Sequence, residues 1–143
     1  MGMALIENCN SNIRGMKSRL MYVELKTGYN DNGPAWIGKA FFSKTGKTVY
    51  FNGLVFLKGE RHSAGNHLEY ITGDSYWISG VKKEGGDRHW AGGGKIQIDK
   101  NVLAEYLEIT ELPKLPLNIF EIVELNNNPQ IELFNKIENQ KFL

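Results

Sequence analysis

Between Arg19 and Asp99 the chain never runs far without a turn signal, and this spacing constrains the fold more than any other feature. Six short runs are rich in β-branched and aromatic residues: Leu20–Lys26, Ala35–Ser43, Thr48–Leu57, Leu68–Thr72, Ser75–Val81 and Lys95–Asp99. Between them lie GYNDNGP, KTGK, KGERHSAGNH and GD, all built from residues that favour turns. Runs this short suit strands, not helices with a buried face. Asn52-Gly53 inside the third run marks a bulge or a second tight turn. The pattern predicts a mainly β fold, a small antiparallel SH3-like, partly open barrel, with helices at its C-terminal end.

The period changes near residue 100. Asp99 or Asn101 can cap a short helix through about Leu107. Pro113 and Pro116 break it, because proline removes a donor and clashes with the preceding turn. Leu117–Leu125 carries apolar residues at 119, 120, 122, 123 and 125 and reads as a second helix. Gln130–Phe142 places Ile131, Phe134 and Ile137 three apart, an amphipathic helix. The expected organisation is a loose leader over 1–18, a barrel domain over 19–110 and a helical extension over 111–143. The apolar residues of that extension should dock on the barrel or join two copies in a homodimer.

At 143 residues the chain suits one domain with its own core. It has no run of eighteen apolar residues and no signal-peptide pattern at its start, so a cytoplasmic home is expected. Cys9 has no second cysteine to pair with, and with three histidines it gives no zinc spacing. No metal and no cofactor are expected. The net charge of +1 hides an asymmetry: residues 1–100 carry net +5 and residues 101–143 net −4. A basic body can take an anionic partner, or the acidic tail can fold back and neutralise it.

Chemistry concentrates between Gly73 and Gly94. This stretch holds two of the three tryptophans and seven of the sixteen glycines. Each glycine loses more entropy on ordering than other residues, so a stretch this permissive is expensive to keep for folding alone. Tyr76, Lys82, Lys83, Arg88, His89 and Trp90 form a basic, aromatic set. Cations hold phosphate or carboxylate, while rings stack on bases or pack apolar side chains. Trp77 is expected in the core, since Tyr76, Trp77 and Ile78 alternate along a strand. The expectation is a binding module for a nucleic acid or an acidic protein segment, more consistent with recognition than with an enzyme in its own right. The rival is a small hydrolase or lyase using Asp87 and His89, with Lys83 or Arg88 as oxyanion donor.

Three weaker motifs lack the context their chemistry needs. Ser43–Thr48 (SKTGKT) ends like a phosphate-binding loop, but Phe41 stands where glycine is required and a strand follows instead of a helix. Ser79 and Lys82 have Ser-x-x-Lys spacing without the helix that brings the lysine to the nucleophile. His62, His67 and His89 sit in or beside loops without ligand spacing.

The blocks GPAWIG, FSKTG and YWISG–KK–G–DRHW resemble a family of small uncharacterised bacterial proteins. The resemblance covers roughly Met21 to Tyr106 and implies no catalytic residues. Some relatives bear the name 1-deoxyxylulose-5-phosphate synthase. An enzyme of that kind needs several α/β domains around its thiamine diphosphate, and this chain has neither the length nor the pattern for them.

Overall fold

A computed structural model describes residues 16–26, 33–59, 65–84 and 94–129, with 132 and 135–137 from the C-terminal stretch. Eight strands follow in order: β1 (Lys17–Leu25), β2 (Ala35–Phe42), β3 (Thr48–Phe51), β4 (Leu54–Lys58), β5 (His67–Glu69), β6 (Ser75–Gly80), β7 (Ile96–Asp99) and β8 (Phe120–Val123). A 3-10 turn (Lys100–Val102) and one helix, α1 (Leu103–Thr110), stand between β7 and β8.

Strands β1 to β6 form a closed antiparallel barrel, sealed because β1 pairs with β2 on one edge and β6 on the other. The third run is two strands: Asn52 and Gly53 both adopt left-handed backbone, with φ of 49° and 81°, as a two-residue hairpin with the right twist requires. The fourth run stops early. The Glu69 carboxylate accepts from the Ile71 and Thr72 amides and from the Thr72 hydroxyl at 2.9–3.0 Å, turning the chain where the strand was expected to continue. Ser43–Thr48 is a hairpin turn, with Gly46 at φ 76°.

The tail departs from expectation. Lys95–Asp99 does not close the barrel; β7 lies outside it, parallel to the first half of β2. Residues 120–123 are not helical, since β8 adds in parallel to β7. Ile119, Phe120, Ile122 and Val123 are β-formers, and the free edge of β7 supplies the main-chain partners that decide between the two periods. Capping follows expectation: Asp99 Oδ1 accepts from the Asn101 amide at 3.1 Å. Helix α1 runs to Thr110 and ends on Glu111 in left-handed conformation.

Apolar side chains collect in three clusters. Met21, Val23, Ala40, Val49, Phe51, Phe56, Tyr76 and Ile78 fill the barrel, with Leu125 entering from the tail. Leu20, Tyr22, Ala35, Ile37, Ile96 and Ile98 lie on the outer face of the wall beneath Val102, Tyr106, Leu115 and Phe120. Phe41, Tyr50 and Val55 are covered by Ile137, 2 % exposed, from the helical residues 135–137. Strands β1 and β2 are thus buried on both faces, which is why Leu20-Met21-Tyr22-Val23 reads as one apolar run without alternation.

The segment after β8 is stitched to the barrel. The Asn126 amide donates to Asn52 Oδ1 at 2.9 Å, Asn127 Nδ2 to Asp99 Oδ2 at 2.8 Å, and the Tyr50 hydroxyl to the Asn128 carbonyl. Between them these bonds hold Leu125 against Gly38. A Cβ on Gly38 would lie 2.8 Å from Leu125 Cδ1 and 3.1 Å from the Phe51 ring. Among the described residues no helix is long and apolar enough to cross a membrane.

Candidate functional site

Of the six residues expected to bind, Tyr76, Lys82 and Lys83 are described, and these three do not share one face. Tyr76 points into the barrel, 7 % exposed, its ring edge-on to Phe56 at 4.7 Å and tilted towards Trp36 at 6.5 Å. Its place on the binding face is therefore corrected: strand parity sends Tyr76 inward and Trp77 outward. Trp77 is half-buried against the outer cluster. Lys82 and Lys83 are exposed just past β6. Arg88, His89 and Trp90 lie outside the described residues, as does Asp87 of the rival enzyme reading.

What the fold adds to Lys83 is a groove of about 360 Å³, within the range of small-ligand clefts. Ser18, Arg19 and Leu20 of β1 form one side, Gly80 at the end of β6 with Val81 and Lys83 just beyond it another, and Glu105 and Ile109 of α1 the opposite wall. Arg19 is the residue that sequence reasoning missed. It stands 64 positions before Lys83, and only the β1–β6 register, Met21 opposite Gly80, brings the two to one rim. Lys17 and Arg19 are exposed on β1, as are Lys82 and Lys83 beyond β6; of these four, Arg19 and Lys83 line the groove. Among the described residues of the lining, Glu105 is the one acidic side chain. The floor between Arg19 and Lys83 is open at Gly80, where a Cβ would find only the Arg19 guanidinium within 4 Å, at 3.8 Å.

Other polar groups serve the framework. At the far end of β1, buried Glu24 accepts from the Tyr22 hydroxyl and from Lys26 Nζ, the latter at 2.9 Å. His67 is buried on β5, its Nδ1 2.9 Å from Asn66 Oδ1. That oxygen also accepts from the Ile78 amide at 2.9 Å, while Asn66 Nδ2 donates to the Ile78 carbonyl. The Asn66 amide is thereby oriented, and His67 Nδ1 must carry the proton it donates. Burial and, second to it, the Lys58 charge push the His67 pKa down to about 4. Ser79 lies on a strand opposite Tyr22, not on a helix with Lys82. Among the described residues no three His, Cys, Asp or Glu side chains gather as a metal site would require.

Compared with models of protein families, with curated proteins and with solved structures, the chain matches none.

Proposed function

We propose that this protein is a small binding module for an anionic partner, a nucleic acid or an acidic protein segment, taken at the groove and along the Gly-rich stretch that follows Lys83. One observation carries the reading. Two segments far apart in sequence bring Arg19 and Lys83 into the lining of one open cleft, with Lys17 and Lys82 exposed close to them in sequence. Exposed like charges repel when adjacent, so their gathering at a concavity favours an anion that bridges them. Recognition, not turnover, is the chemistry of such a rim.

The experiment is binding of a labelled oligonucleotide and of a labelled poly-glutamate peptide across a salt series. For a nucleic acid, each phosphate that the protein no longer neutralises should flatten the log–log salt slope by roughly 0.7 to 0.9. The Arg19→Ala, Lys83→Ala double variant should therefore bind either anion more weakly and with a shallower slope. Equal slopes for variant and parent, or no binding of either anion at low salt, would refute the reading.

A further inference from the structure

Ser18, Arg19 and Leu20 are consecutive residues of β1, yet all three line the groove. Successive side chains of a strand point to opposite faces. A groove touched by three in a row therefore runs along the strand's edge. The ladder explains why. On one side β1 pairs with β2 from Lys17 to Glu24. On the other it pairs with β6 only from Met21 to Leu25, because β6 ends at Gly80. Lys17 to Leu20 thus have an edge that no described strand covers. Alternate residues of an antiparallel strand direct their N–H and C=O groups to each side, so this stretch offers main-chain donors and acceptors to whatever enters.

We propose that this edge is a strand-addition site for an extended acidic segment of a partner protein, laid antiparallel to β1 on the line that β6 leaves at Gly80. The proposal rests on the anion-binding reading above and selects protein over nucleic acid. Main-chain bonds to the edge supply affinity, as in other strand additions. Arg19 and Lys83 favour acidic side chains, while Leu20, Val81 and Ile109 accept apolar ones. A single-stranded nucleic acid is held by rings along its path, and among the described residues that line the groove none is aromatic. Glu105 repels acidic side chains from the α1 wall, so they must lie towards the basic rim.

The test uses the full chain and a fluorescent decapeptide of alternating glutamate and valine, followed by anisotropy. Beside it run the same peptide N-methylated on every glutamate, another N-methylated on every valine, and a ten-nucleotide deoxythymidine strand. N-methylation removes main-chain donors without changing charge. One of the two methylated peptides should bind about tenfold more weakly or worse, equivalent to one or two net hydrogen bonds. Amide exchange at Lys17–Leu20 should slow in the complex. Lys83→Glu should weaken the parent peptide, and Glu105→Gln should strengthen it by about two- to fivefold. Equal binding of all three peptides overturns strand addition and leaves the anion reading standing. Tighter binding of the nucleotide strand overturns the choice of a peptide. No binding of any probe overturns both.

Discussion

Lowering the pH from 7 to 5 should destabilise this protein through His67 alone by an amount that can be measured. The folded ring is held neutral, with its pKa near 4, whereas in the unfolded chain it returns to about 6.5. Below that value the unfolded state takes up a proton that the folded state refuses. The stability contributed by the neutral ring is whole above pH 6.5 and is lost progressively as pH falls towards 4. Between pH 7 and pH 5 the loss is about 2 kcal/mol. With a urea slope of roughly 2 kcal/mol/M, the midpoint should fall by about 1 M. His67→Gln keeps a polar side chain and removes the titration. Carboxylates titrate alike in both proteins, so the difference between their pH profiles isolates the ring. Parallel profiles, or a His67 ring that titrates near 6.5 in the folded protein by NMR, would refute the account of its environment.

Three further outcomes follow from the packing. Gly38→Ala should cost about 1–3 kcal/mol in denaturant melts, because its methyl group must displace Leu125 or Phe51; an unchanged midpoint would mean that the tail yields freely. Lys26→Met should destabilise by about 3 kcal/mol or more by leaving buried Glu24 without its cation. Restoration by the second change Glu24→Gln distinguishes loss of the ion pair from loss of packing. Deleting residues 116–143 removes buried Phe120, Leu125 and Ile137 and uncovers β7, so the truncated chain should aggregate; a soluble fragment with the parent's melting temperature would show the tail to be dispensable.

The barrel was legible because its strands are short and its turns carry their own chemistry. Asn52-Gly53 and Gly46 declare positive φ by residue type alone. The parallel additions were not legible. Residues 120–123 satisfy a helical and a strand reading equally, and only the vacant edge of β7 decides between them. Tyr76 was misplaced for a related reason: alternation shows that neighbours face opposite ways, but not which way is inward when both faces of a wall are packed. Arg19 stands with Arg14, Lys17 and Tyr22 in sequence, but nothing there points to residues 80–83. Its relation to Lys83 exists only in the register of two strands far apart in the chain.

The stitching of residues 125–128 also orders events during synthesis. The bonds of Asn52 with Asn126 and of Tyr50 with Asn128 span 74 and 78 residues. A ribosome adds about 5–20 residues each second, so Leu125 follows Gly80 by roughly two to nine seconds. For that interval every barrel strand has been made, but the side chain that seals the interior beside Gly38 and Phe51 has not. Until Leu125 arrives, the apolar interior beside Gly38 and Phe51 lacks the side chain that seals it, and this interval is when the nascent chain is most open to chaperones and to wrong partners.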